Sequence, residues 1–109
     1  IKVWEAKNTA VKVPIDQWFT LEYYFREGNK DTGRFTVTIT PDGGEKQTVF
    51  DVTNYTHNSH DLAPNGLSGY NPMKLYTSRE VVEFMKNQGK ALQIYWDDFE
   101  LWVNKKMEL

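Results

Sequence analysis

Arg34-Phe35-Thr36-Val37-Thr38-Ile39-Thr40-Pro41-Asp42-Gly43-Gly44, followed by residues 46–53, carries the clearest fold signal in the chain. Phe35, Val37 and Ile39 alternate with Thr36, Thr38 and Thr40, the period of two expected of an antiparallel strand with one face on a core and one toward solvent. An amphipathic helix would need apolar residues three and four apart instead. Pro41 and the two glycines then stand where a tight reversal needs a fixed φ and an unhindered one, so residues 46–53 are expected to pair back as a hairpin.

Working outward, residues 28–33 supply another turn, and residues 17–27 before it read as a strand rich in Thr, Tyr, Phe and Trp. Its parity puts Phe19, Leu21, Tyr23 and Phe25 on one face and Trp18, Thr20, Glu22, Tyr24 and Arg26 on the other. Residues 1–7 and 11–13 read as short strands. Residues 54–72 are dense in loop formers, and a loop of this length in a small domain is usually functional or mobile. Residues 73–77 read as a strand, and Ser78 can cap a helix through residue 86, with Glu80 in its first turn and Gly89 able to end it. Residues 91–103 read as the last strand. There Leu92, Ile94 and Trp96 hold one parity while Phe99, Leu101 and Val103 hold the other, so a β-bulge is expected at Asp97-Asp98. That slip leaves Gln93, Tyr95, Glu100 and Trp102 on the side away from the core. The whole is an all-β antiparallel sandwich with one short helix, read as a single domain over residues 1–109.

Composition narrows the function. The 109 residues carry a net charge of -2, and the 13 basic residues are scattered, so nucleic acid is an unsuitable partner. No leader and no apolar run approaching the ~18 residues of a membrane span is read, so no membrane association is expected. The absence of cysteine excludes thiol chemistry and Cys-ligated zinc. Aromatic residues make up 15% of a chain whose mean hydropathy is only -0.65, so some of the 4 Trp and 6 Tyr must lie outside the core. Flat rings with a polar edge suit the C–H-rich faces of sugars as well as protein surfaces.

The parity assignments turn that excess into a candidate platform. Trp18 and Tyr24 are six residues apart on one strand, about 20 Å at ~3.3 Å per residue, and Tyr95 and Trp102 lie on another. Glu22, Arg26, Gln93 and Glu100 sit between these rings as candidate partners for hydroxyl groups. Asp97 and Asp98 offer hard oxygens, either to a cation or to the backbone amides of a bulge. His57 and His60 are spaced as His-x-x-His, but in a loop and with no third ligand nearby, which favours loop contacts over zinc. A proton-abstracting pair of one of them with Tyr55 or Tyr70 is an alternative. Asn54-Tyr55-Thr56 matches the N-glycosylation sequon.

Tyr95-Trp96-Asp97-Asp98-Phe99-Glu100-Leu101 resembles the closing strand of bacterial jelly-roll carbohydrate-binding modules and of concanavalin-like glucanase and lectin domains. Trp18 through Phe25, Gly33-Arg34-Phe35 and Pro72-Met73-Lys74-Leu75-Tyr76-Thr77-Ser78 are similar to segments of such domains, so the resemblance spans residues 17–103. It implies a secreted, non-catalytic, monomeric binding module, appended to a larger polysaccharide-degrading enzyme and taking a plant β-glucan such as cellulose or mixed-linkage glucan. It also implies a structural calcium helped by Asp97 or Asp98. The Glu-x-Asp-x-x-Glu arrangement of retaining glucanases of that fold does not occur in the sequence, and the chain is roughly half as long as such enzymes. Two other readings stand beside it: the C-terminal part of a hydrolase or lyase, and an adhesion sandwich using its aromatic face against another protein.

Overall fold

The computed structural model describes residues 2–58, 60, 79–105 and 107. The chain forms two compact units, Ile1–Ser68 with Lys105–Leu109, and Gly69–Asn104.

The first unit is built on three antiparallel strands in the order β1(Phe19–Arg26), β2(Arg34–Pro41) and β3(Gln47–Thr53). With the single helix of the second unit, this gives the described chain an all-β character. The hairpin expected at Pro41-Asp42-Gly43-Gly44 forms: Gly44 N–H donates to Pro41 O at 2.8 Å, and Gly43 takes the left-handed φ of 73° that a glycine there permits. β1 and β2 stay in unbroken register from Phe19↔Pro41 to Arg26↔Arg34. β2 and β3 do not. Val37 pairs with Phe50 and Thr38 with Thr48, so Val49 is an extra residue, a bulge the sequence reading lacks.

One face of the sheet is apolar, and its packing centres on Phe35, whose ring meets Phe25 edge-on at 5.8 Å and Trp4 at 6.0 Å. Trp4 comes from residues 2–18, which form no strand; the strands expected over 1–7 and 11–13 are corrected here. Side chains rather than a ladder tie this segment down. Trp4 Nε1 donates to Tyr55 O, and Asn8 Nδ2 to Val49 O at 2.8 Å, while Asn8 Oδ1 accepts from the amides of Ala10 and Val11. Those Asx bonds and the left-handed Asp16 (φ 60°) turn the backbone out of an extended path.

The central strand is buried on both faces, not half-buried as its alternation suggests. Val37 and Ile39 are buried on the apolar side, and Thr36 and Thr38 on the other. The register explains the second pair. β2 lies between two strands whose long polar side chains, Glu22 and Tyr24 from β1 and Asp51 from β3, are brought level with its threonines.

In the second unit, α1(Arg79–Asn87) matches the expected helix, with Glu80 in its first turn and Lys86 in its last. Arg79 pairs with Glu83 one turn on, at 2.9 Å. Gly89 ends the helix as anticipated: at φ 71° its N–H reaches Lys86 O, and the Lys90 N–H reaches back to Met85 O, the two bonds of a Schellman stop. The Ser78 cap, the strand over 73–77 and most of the 54–72 loop lie outside the described residues.

Residues 91–103 form no strand, contrary to expectation, and Asp97-Asp98 is therefore no bulge. Alternation makes a segment fit to be a strand, but a ladder needs a second backbone, and no strand pairs with this one among the described residues. Asp98 does break the extended path, with φ 53° and its N–H donating to Asp97 Oδ1. The apolar phase changes at that residue.

Candidate functional site

The polar face of the three-stranded sheet carries the first half of the expected platform. Trp18 immediately precedes β1, its carbonyl accepting from Asp42 N–H at 2.9 Å, and its side chain is 56% exposed. Continuing its parity, Thr20, Glu22, Tyr24 and Arg26 share this face with Arg34, Thr36, Thr38 and Thr40 of β2 and with Thr48 and Asp51 of β3. Tyr24 is half-buried and Arg26 exposed.

Two ion pairs cross the face. Lys46, just before β3, reaches Glu22 of β1 at 3.0 Å, spanning the central strand above the level of Thr38 and Thr40. Arg34 holds Asp51 with two parallel bonds, Nε to Oδ1 and Nη2 to Oδ2, both 3.0 Å. Thr36 Oγ1 adds a longer contact of 3.5 Å to Asp51 Oδ1. These bonds, and then the nearby charge of Asp51, hold the Arg34 guanidinium above its usual range. Exposed pairs of this kind are screened by water and contribute little stability, but they fix where charge and donors stand. Below them Thr38 is fully buried, and its hydroxyl has no hydrogen-bond partner among the described residues.

Glu22, read as a group for sugar hydroxyls, is thus already engaged by Lys46. Arg34, Lys46 and Asp51 were not among the candidate residues. The signal for them lies in the hairpin: once Val49 is read as a bulge, Asp51 falls beside Arg34 and Thr36.

The second half of the expected platform lies in the second unit. Tyr95 is 73% exposed and Trp102 65%, each on a short local bond: Tyr95 OH to Gln93 Oε1 at 3.4 Å, and Trp102 Nε1 to Glu100 Oε2 at 3.2 Å. The rings do not stand apart by parity: Ile94, Trp96, Phe99, Leu101 and Val103, expected to face the core, are exposed as well. Asp97 and Asp98 are exposed, and among the described residues no three His, Cys, Asp or Glu side chains converge.

In the loop after β3, the His57 ring stands edge-on to Tyr55 at 5.9 Å, with Nδ1 2.9 Å from Asn58 O, and the His60 amide donates to Asn58 Oδ1. Thr56 of the sequon is a structural tie: its hydroxyl donates to Arg26 O and accepts from Gly28 N–H. No helix among the described residues is long and apolar enough to cross a membrane. No family model, no curated protein and no solved structure matches the chain.

Proposed function

We propose that the chain is a non-catalytic polysaccharide-binding domain of a secreted, multidomain protein, with the polar face of β1, β2 and β3 as its binding surface. The observation that carries this is Trp18, a large ring left mostly exposed at the end of a face otherwise made of hydroxyls and ion-paired groups. A core position would bury such a ring; a pure solvation surface would not spend one. A sugar ring can stack on the indole while its hydroxyls meet the donors and acceptors beyond it. Tyr24 extends the same line, and Tyr95 and Trp102 offer exposed rings with a carboxamide and a carboxylate alongside.

In this reading the three strands are one layer of a jelly-roll sandwich, and β-glucan, implied by resemblance, is the first ligand to try. Titration of the 109-residue chain with soluble oligosaccharides, followed by Trp fluorescence, tests the reading. Trp18→Ala should weaken binding about tenfold, as loss of a dominant contact does. Retention of full affinity removes the face as the site. Repeating the titration with chelator asks whether calcium at Asp97 and Asp98 belongs to the mechanism.

A further inference from the structure

The Arg26 end of this face breaks a rule of sheet construction. Arg26 of β1 and Arg34 of β2 are direct cross-strand partners and point to the same side, with Cα atoms about 4.5–5.5 Å apart as any such pair must be. Like charges placed so oppose each other and destabilise the sheet. Arg34 is compensated from the far strand by Asp51. Arg26 is not: its guanidinium is exposed and makes no hydrogen bond or ion pair among the described residues. Glu22, two positions beyond Tyr24 on the same strand, is held by Lys46. At this end of the face two cations, Arg26 and Arg34, therefore stand over one carboxylate, Asp51, on a chain whose net charge is -2. A local rule broken without local compensation marks a functional position.

We infer that Arg26, with the Nη1 edge of Arg34 that Asp51 does not use, is a subsite for a carboxylate, and that the preferred ligand is an acidic polysaccharide bearing uronate units. This rests on the reading of the face as a polysaccharide site and replaces neutral β-glucan as its best ligand. A guanidinium presents a planar fork that matches a carboxylate, whereas a neutral hydroxymethyl group offers it one weak acceptor. Trp18, at the other end of β1, supplies the stacking surface for units further along the chain.

The test compares polygalacturonate, its fully methyl-esterified form, which has the same backbone without charge, and a cello-oligosaccharide. The acid form should bind about fivefold more tightly than the ester, the scale of one exposed charge pair, and the gap should narrow at high salt. Arg26→Ala should abolish the gap without lowering the urea midpoint, since it also relieves the opposition to Arg34. Trp18→Ala should weaken acid and ester alike. Equal affinity for acid and ester, or an Arg26→Ala variant that keeps the gap, overturns the subsite while leaving the platform intact. Failure to bind any of the three overturns both.

Discussion

Gly33 sits where the two turns of the first unit touch, and the geometry there predicts a large effect from one methyl group. It is buried, its N–H donates to Asn29 O at 2.8 Å, and its carbonyl accepts from Asn54 N–H at 3.0 Å. A Cβ at this position would lie 2.1 Å from Asn54 O, 2.9 Å from Gly28 O and 3.0 Å from Asn29 O. All three are backbone atoms, so no side chain can swing aside. Gly33→Ala must push the chain after β3 away by roughly 1.4 Å, since non-bonded atoms settle at about 3.5 Å. Two hydrogen bonds at about 1 kcal/mol each, plus the strain of an overfilled site, give a loss of roughly 2–4 kcal/mol. Gly43→Ala is the control, because no atom lies within 4 Å of its Cβ and only the positive φ penalises it, by about 1 kcal/mol. Both substitutions stiffen the unfolded chain equally, so their difference is the steric term less the φ cost at Gly43. Urea unfolding followed by Trp fluorescence should place Gly33→Ala about 1–3 M below Gly43→Ala, taking ~1 kcal/mol per M for a chain of this size. The Asn54 amide should also lose hydrogen-exchange protection. Equal midpoints would refute the argument, because they would mean that the carbonyl of Asn54 gives way freely.

Thr38→Val keeps the shape of a fully buried side chain and deletes a hydroxyl that has no partner among the described residues, so stability should rise by about 1 kcal/mol. A lower midpoint would show that the hydroxyl is satisfied in solution. The phenol of Tyr23, on the apolar face, is pushed above its usual pKa by partial burial. The unfolded chain then releases that proton first, so stability is unaffected below about pH 9 and falls as pH rises through the tyrosine range. Tyr23→Phe should flatten this alkaline fall in urea midpoints between about pH 9 and pH 11, and identical slopes for both proteins would count against the assignment.

What the sequence disclosed follows the range of the interactions involved. The hairpin was legible because Pro41, Gly43 and Gly44 act on their own backbone, and α1 because Glu80 and Gly89 act on the turn beside them. The strand expected over 91–103 failed for the opposite reason. Its alternation exists in the sequence only: Ile94, Trp96, Phe99, Leu101 and Val103, expected toward a core, are exposed alongside Tyr95 and Trp102, because a strand exists only with a partner that local sequence does not name. At the site, parity alone grouped Trp18, Glu22, Tyr24 and Arg26 correctly on one face. It could not reveal that Lys46 takes Glu22, or that Asp51 takes Arg34, because those pairs depend on the register of strands joined through turns.

That register turns on one residue. A straight ladder continued from Ile39↔Gln47 and Thr38↔Thr48 would set Val49 against Val37, Phe50 against Thr36 and Asp51 against Phe35. Phe50 would then stand on the polar face, and a carboxylate would be driven among the rings of Phe25, Phe35 and Trp4. Ejecting Val49 corrects both errors at once, restoring Phe50 to the apolar side and delivering Asp51 to Arg34. The carbonyl of the ejected residue is met by the Asn8 side chain, so the N-terminal segment helps hold the bulge in place. A phase slip near Asp97-Asp98 was the anticipated way to bring apolar residues of two parities onto one face; the fold uses the same device in β3. Only with that slip does the charge of Arg34 find its partner on the far strand. Arg26 is thereby left as the guanidinium on the face that no described carboxylate answers.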